Sequence, residues 1–225
     1  NNNLKGFGSK DTIQYTVNPN TNPLNAYRLK SDFTQKLGAG NLQLGYQFRY
    51  DTQLGNFLYQ TKILGTPSFT TDPLFTSTVA VYNRIHGVYV QYGATQKKLT
   101  YNGGLRLEHS NRDIYFSRNG EEKHQSLTNL FPALQFRYGA WNKGIVKCGY
   151  NRRIKRTNNF ELNPLPEREH SETLEQGDPN LKPELTGTFE AGIEQTFNKG
   201  TFFVTLYKQT ILNPIQRVNR PYNDS

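Results

Sequence analysis

The sequence predicts an all-β chain, an antiparallel meander of about nine strands that forms part of a transmembrane β-barrel. Three observations predict this fold class. Aromatic residues are abundant in a chain that is polar overall, apolar and polar residues alternate along several segments, and short turn sequences alternate with long polar stretches. Strands that face lipid on one side and water on the other are expected to show all three.

The composition does not suit an ordinary soluble core. Hydrophobic residues make up 34% of the 225 residues and the mean hydropathy is −0.77, yet aromatics reach 13%, with 14 Tyr and 14 Phe. A soluble domain this polar would rely on aliphatic residues, and a disordered chain would be depleted of aromatics. No window approaches the roughly 18 consecutive apolar residues of a transmembrane helix, whereas barrel strands cross in alternating segments of about 10 residues.

Charge and cysteine content exclude several other classes. The net charge is +9, but Lys and Arg are spread from Lys5 to Arg220, so the chain lacks the clustered footprint of a nucleic-acid-binding protein. The single cysteine, Cys148, excludes an internal disulfide framework. Residues 1–5 carry no signal-peptide pattern.

Strict alternation is clearest between residues 42 and 50. One face of this predicted strand carries Leu42, Leu44, Tyr46, Phe48 and Tyr50, and the other carries Gln43, Gly45, Gln47 and Arg49. The pattern repeats over 99–108, 133–138 and 189–194. Segments 27–36, 56–64, 84–92, 144–154 and 200–209 fit with less contrast, which gives about nine strands.

The predicted connections differ in length. Short turn sequences occur at 38–41, 95–98, 139–144 and 198–200, where Gly and Asn are expected to supply positive φ angles. Long polar loops are predicted at 65–78, 117–125 and 157–184. Short turns on one rim and long loops on the other are typical of periplasmic turns and extracellular loops.

A Pro-rich motif carries a family resemblance. Asn163-Pro164 is followed by the segment Gly177-Asp178-Pro179-Asn180-Leu181-Lys182-Pro183-Glu184 and a predicted strand. This arrangement resembles TonB-dependent outer-membrane receptors, especially the barrel family common in Bacteroidetes, which usually has Asn where this chain has Asp178. Because proline excludes helix and keeps the preceding residue extended, the motif also predicts a stiff entry into the strand near Leu185.

Three further stretches resemble the same family. Tyr150–Arg156 resembles a Tyr-Ser-Arg-Arg-Ile-x-Arg-Pro strand end, with Thr157 in place of the expected Pro, and Leu130–Leu134 and Gly104–Glu108 match shorter stretches. The four matches occur in the family's order between about residues 84 and 217. The resemblance therefore implies a barrel in the bacterial outer membrane.

The resemblance also implies a function and partners. It implies part of a receptor that takes up a nutrient such as a metal chelate, glycan or peptide, together with a plug domain, the TonB system, outer-membrane lipid and a possible surface lipoprotein. No cofactor is implied, and no nucleic acid. Two alternatives stay open at this point: a structural or assembly barrel without transport, and a soluble carbohydrate-binding β-sandwich.

The chain is expected to be one barrel segment over residues 1–225. An odd strand count, a polar C-terminal tail and no recognisable plug sequence favour a central portion of a larger barrel.

The candidate site residues follow from the alternation. The residues expected to face the lumen or the plug are Gln43, Gln47, Arg49, Arg106, Glu108, Gln135 and Arg137. The densest basic cluster, at the end of a predicted strand, is expected at the extracellular rim and comprises Arg152, Arg153 and Arg156. No catalytic constellation or metal-ligand spacing is recognisable, so the sequence predicts neither an enzyme nor a metal site.

Overall fold

A computed structural model describes residues 2–5, 12–17, 19–63, 65–170 and 173–219. Within these residues one short helix, α1 (Asn159–Leu162), lies among fourteen strands. The strands are β1 (Asn2–Lys5), β2 (Thr12–Val17), β3 (Leu24–Leu37), β4 (Gly40–Phe57), β5 (Gln60–Ile63), β6 (Thr70–Thr71), β7 (Ser77–Gln96), β8 (Leu99–Phe116), β9 (Glu122–Trp141), β10 (Gly144–Lys155), β11 (Glu167–His170), β12 (Thr173–Glu175), β13 (Glu184–Phe197) and β14 (Gly200–Leu212).

The eight long strands form one sheet. Its order is β14-β13-β10-β9-β8-β7-β4-β3, and every neighbouring pair is antiparallel. Each long strand therefore pairs with the next long strand along the chain, with β3 and β14 at the two edges. This meander confirms the predicted fold class.

The sheet has eight strands where about nine were expected. The predicted strand over 56–64 divides: Asn56 and Phe57 end β4, and β5 joins a separate four-stranded sheet of order β1-β2-β5-β6. Between them the backbone N–H groups of Leu58 and Tyr59 donate to side chains of Asn20 and Thr76, at 3.2 Å each, instead of to a neighbouring strand. Leu64 lies outside the described residues.

The connections fall into the two predicted classes. Two-residue turns at 38–39, 97–98, 142–143 and 198–199 join strands at one end of the sheet. At the other end the connections span 58–76, 117–121 and 156–183. Positive φ is supplied by Gly38 as expected, but also by Lys97 and Lys143, at 53° and 56°. The two ends are called the turn end and the loop end below.

Strand register brings the apolar residues onto one side of the sheet. Leu44 lies opposite Phe33 and Val90, and Val90 lies opposite Leu105. Leu44 and Leu105 are each 43% exposed, and this side is called the apolar face. Exposed apolar area of this extent needs a nonpolar surrounding. A soluble sandwich would bury it between two packed sheets, so the sandwich alternative is wrong for the described part of the chain.

Two groups of tyrosines border the apolar face. Tyr92 and Tyr101 lie near the turn end with ring centroids 6.0 Å apart, and Tyr82 and Tyr115 lie near the loop end, 5.6 Å apart. Tyr82 and Tyr92 are ten residues apart on β7, about 33 Å along a strand. A strand tilted by about 40° converts that length to a height of about 25 Å, the height of the apolar band of a transmembrane barrel.

A small apolar core covers the opposite side of the sheet at its loop end. Phe57, Val79, Val81, Ile114, Phe116 and Leu162 are each at most 2% exposed and form one cluster, against which Leu181 packs. Leu162 belongs to α1, so the 156–183 connection folds back onto the sheet. This cluster is called the loop core. In the described ranges no helix is both long and apolar enough to cross a membrane.

Candidate functional site

The side of the sheet opposite the apolar face carries the predicted polar residues. Register places on this side, called the polar face, Gln43, Gln47, Arg49, Arg106, Glu108, Gln135 and Arg137. They do not form one site. Gln135 and Arg137 lie opposite Asn102 and Thr100, close to the 97–98 turn, whereas Gln47, Arg49, Arg106 and Glu108 come together about halfway along the strands.

The central group lines a cavity of about 290 Å³. Its walls are Arg28, Gln47, Arg49, Ile85, Arg106, Glu108 and Arg156. This cavity is called the arginine pocket. Four arginines and one glutamate give the lining residues a formal charge of 4 − 1 = +3.

Arg106 is held in a fixed orientation within the pocket. Its Nε donates to Oε1 of Glu108 at 2.7 Å, and its Nη2 donates to Oε1 of Gln47 at 3.0 Å. The guanidinium carbon lies 5.7 Å from the centroid of the Tyr89 ring, within the range of a cation–π interaction. Gly87 makes room for this arrangement, since a Cβ there would lie 2.5 Å from Nη2 of Arg106.

The connection from β10 to β13 supplies another wall. Nη2 of Arg156 donates to Oε2 of Glu108, so the Glu108 carboxylate, whose residue is 9% exposed, bridges two guanidinium groups. The neighbouring Thr157 accepts a hydrogen bond from Arg112 through Oγ1, and Nε of Arg112 donates to Oδ1 of Asn83 at 2.8 Å. These contacts attach the first residues of the connection to the polar face.

The predicted basic cluster divides between both faces of the sheet. Arg152 has the same parity on β10 as Tyr150, which lies opposite Leu134 on the apolar face. Arg153 has the opposite parity and is exposed, and Arg156 reaches into the arginine pocket. The three side chains therefore do not form one patch.

The Pro-rich motif stabilises the folded connection. The N–H of Gly177 donates to the carbonyl of Asn163 at 2.6 Å, and the N–H of Asp178 donates to the carbonyl of Glu161 at 2.9 Å. A Cβ on Gly177 would lie 2.5 Å from the Glu161 carbonyl oxygen, which leaves no room for a side chain. The motif thus ties residues that follow α1 to the C-terminal end of that helix.

The N-terminus of α1 has its own stabilising contacts. Oδ1 of Asn158 accepts from the N–H of Glu161 at 2.9 Å, and Oε2 of Glu161 accepts from the N–H of Asn158 at 2.9 Å. This reciprocal pair is a capping box. It holds the single turn that delivers Leu162 into the loop core.

The three histidines whose side chains the structure describes lie apart from the arginine pocket. Nδ1 of His86 lies 2.9 Å from the Tyr46 hydroxyl, Nδ1 of His109 lies 3.0 Å from Oγ1 of Thr128, and Nδ1 of His124 lies 2.6 Å from Oδ1 of Asp113. Among the residues that the structure describes, no group of three or more His, Cys, Asp or Glu side chains is placed to hold a metal ion.

Arg28 and Ile85 were missed as pocket residues by the sequence analysis. Segment 27–36 alternates with low contrast, but Arg28, Lys30 and Asp32 occupy every second position, and this charge pattern could have identified the polar side of β3. Ile85 gave no comparable signal, because an isolated apolar residue among polar neighbours does not indicate a pocket.

Solved structures with the same fold come from transport proteins. The copper transporter OprC matches with a TM-score of 0.65 and 14% identity over 85% of this chain and 30% of its own. The ferric-catecholate import receptor Fiu from E. coli K12 matches with a TM-score of 0.61 and 14% identity, over 91% of this chain and 33% of its own. The ferric yersiniabactin uptake receptor FyuA from Yersinia pestis matches with a TM-score of 0.57 and 13% identity, over 89% of this chain and 30% of its own.

These similarities concern the fold, and the chain spans about a third or less of each matched structure. No curated protein matches the sequence significantly. The model of the outer membrane protein beta-barrel family matches residues 1–225. The family resemblance and the location predicted from the sequence are thereby confirmed: the chain belongs to the outer membrane β-barrel family and lies in the bacterial outer membrane.

Proposed function

We propose that the chain is part of the barrel of a TonB-dependent receptor that takes up a nutrient across the outer membrane. The observation that carries the proposal is the division of the polar face. At the loop end the 156–183 connection packs on it through the loop core, and directly beside this connection lies the open, charged arginine pocket. A folded loop next to an open binding surface suits a receptor that captures a solute arriving from the loop end.

The solute is a nutrient of a class that needs a dedicated receptor, such as a metal chelate, a glycan or a peptide. The fold shared with a copper transporter and with uptake receptors for ferric chelates supports the first of these classes. Because these proteins are at most 14% identical to this chain, the choice among the three classes needs a transport measurement.

The polar face contacts water and a plug domain in this proposal. Gln43, Gln135 and Arg137, towards the turn end, meet the plug, and Gln47, Arg49, Arg106 and Glu108 lie where water and solute enter. Arg153 lies on the same face near the loop end, while Arg152 lies on the lipid side. The further partners are outer-membrane lipid, the TonB system and a surface lipoprotein that delivers the solute.

Uptake by whole cells tests the proposal. The gene for the full-length protein is deleted in its own bacterium, and the strain is compared with the parent for uptake of labelled metal chelates, glycans and peptides. We expect uptake of one class to be lost, to return when the gene is restored, and to stop when an uncoupler collapses the proton gradient. Unchanged uptake of all three classes, together with partner proteins that copurify with the full-length protein, would instead identify a structural barrel.

A further inference from the structure

We propose that the arginine pocket is a binding site for an anionic solute that carries two or more carboxylate or phosphate groups. The inference rests on the proposed receptor function and specifies the chemistry of its substrate. It depends on the charge balance of the pocket, on its position along the strands and on the geometry of its donors.

Among the described residues, the arginines of the pocket form ion pairs with two carboxylates, those of Asp51 and Glu108. Arg28 on β3 lies directly opposite Arg49 on β4, an arrangement of like charges that destabilises a sheet unless an anion compensates it. Arg49 is paired with Asp51, whose Oδ1 lies 2.7 Å from Nε, and Glu108 is shared by Arg106 and Arg156. An additional anion between these groups would relieve the repulsion.

A buried cation behind the pocket adds to this imbalance. Arg112 is 5% exposed, and both of the hydrogen-bond acceptors that hold it, Asn83 and Thr157, are uncharged. Its charge is screened less than that of a surface arginine. Arg112 thus adds positive charge behind the pocket, which the neighbouring Glu161 partly offsets.

The position of the pocket favours a solute over the plug. Arg49 lies nine residues from the start of β4 at the turn end, which corresponds to about 30 Å along the strand. The pocket is also bounded by Arg156, where the long connection leaves β10. In the proposed receptor the loop end is the side from which solutes arrive, so an incoming anion reaches this pocket before it meets the turn-end part of the polar face.

The donor geometry suits planar or tetrahedral oxyanions. A guanidinium group has five N–H donors in a rigid fork that binds carboxylate or phosphate through two hydrogen bonds. Two donors of Arg106 are engaged by Glu108 and Gln47, which fixes the plane of the fork and leaves other donors for a ligand. Several such forks around 290 Å³ fit a small anion with more than one charged group.

Calorimetric titration of the purified full-length protein tests the inference, with pyrophosphate and citrate as probes at constant ionic strength. We expect both probes to bind the wild type. Because one charge-assisted hydrogen-bond pair is lost, Arg49→Gln should weaken binding about tenfold, and Arg28→Gln/Arg49→Gln should weaken it further. The control Arg84→Gln removes an arginine from the apolar face and should leave the affinity within about twofold of wild type.

A conservative variant distinguishes loss of binding from loss of folding. Arg49→Lys keeps the charge but not the fork, and we expect an affinity between those of wild type and Arg49→Gln. Absence of binding by the wild type, or an equal loss in the control, would overturn the inference. It would also be overturned if the double variant bound both probes normally while its plug became sensitive to added protease, since the arginines would then hold the plug.

The two proposals can fail separately. If uptake depends on the proton gradient but neither anion binds, the anion site is wrong and the receptor function stands. If both anions bind at the arginine pocket but no solute is taken up in a gradient-dependent way, the binding site stands and the receptor function is wrong.

Discussion

The loop core and the arginine pocket lie on the same face of the same strands but have opposite character. On β7 and β8 the loop core contributes Val81 and Ile114, which are both 1% exposed. Within a few residues towards the turn end, the same face carries the charged groups of Arg112 and Glu108. The loop core attaches a connection to the sheet, whereas the arginine pocket keeps its donors available. One face of a strand can therefore be apolar where a loop covers it and charged a few residues farther along the same strand.

Because of this division, we expect some substitutions to change stability and others to change anion binding. Substitutions in the loop core should loosen the 156–183 connection and leave the pocket's arginines in place. Substitutions around the pocket should change anion affinity and leave the connection attached. The variants below test this separation, beginning with the largest expected effect.

Leu162→Ala should have the largest effect. Leu162 is 1% exposed in the loop core, and removing a buried leucine side chain costs about 2–5 kcal/mol. We expect faster hydrogen exchange at the amides of Gly177 and Asp178, whose hydrogen bonds depend on the folded connection. Leu74→Ala is the matched control, since Leu74 is 57% exposed in a different loop, and it should leave these rates unchanged. Equal rates in both variants would contradict the role of the loop core.

Gly177→Ala should destabilise the connection by about 1–3 kcal/mol, because the added methyl group meets backbone that must move. Its Cβ would lie 2.5 Å from the Glu161 carbonyl oxygen. Hydrogen exchange at the Asp178 amide measures the effect. In the control Gly93→Ala, the nearest heavy atom lies 3.5 Å from the new Cβ, so exchange should match the wild type. If exchange at the Asp178 amide in Gly177→Ala matched the wild type, the Pro-rich motif would not stabilise the connection.

Asn158→Ala should cost about 1 kcal/mol, the usual contribution of an N-cap side chain. It removes the acceptor for the N–H of Glu161. The amide of Leu162, which donates to the Asn158 carbonyl, should exchange faster. Asn158→Ser supplies another capping oxygen and should restore most of the protection. If serine and alanine behaved alike, the capping box would not contribute.

Gly87→Ala should have the smallest effect on stability and act on the pocket. The new methyl group would displace the flexible end of Arg106, whose Nη2 would lie 2.5 Å away, and the protein should lose less than about 0.5 kcal/mol. Pyrophosphate affinity should fall about threefold through the altered donor geometry. Gly93→Ala again serves as the control. If hydrogen exchange at the Gly177 amide keeps its wild-type rate while pyrophosphate binding weakens, the loop core and the arginine pocket act separately.

The sequence predicted the faces of the sheet well because alternation has a direct physical cause. In segments such as 42–50, each residue type follows the environment of its side, so Leu44 and Gln47 are placed correctly by period alone. The turns were located by length, although Lys97 and Lys143 take positive φ angles that composition did not indicate. There the pairing of two long strands determines the turn, and local propensity does not.

The arginine pocket could be predicted only in part. Alternation groups Arg49, Arg106 and Glu108 on one side of the sheet, but the approach of Arg156 depends on how the 156–183 connection folds back, which is a long-range property. The predicted separate strand at 56–64 shows the same limitation, since Phe57 and Tyr59 continue the alternation while the chain leaves the sheet between them. Period-2 patterns define faces and do not define where a strand changes its partner.

Site-specific labelling tests the central claim that the polar face is closed at the loop core and open at the arginine pocket, while the apolar face meets lipid. Single cysteines are introduced at Val81, Leu105 and Arg106 in the full-length protein with Cys148→Ser, and intact cells are treated with a membrane-impermeant maleimide. We expect the cysteine at position 106 to react at least about tenfold faster than those at 81 and 105. Fast labelling at position 105, or slow labelling at 106, would contradict the account.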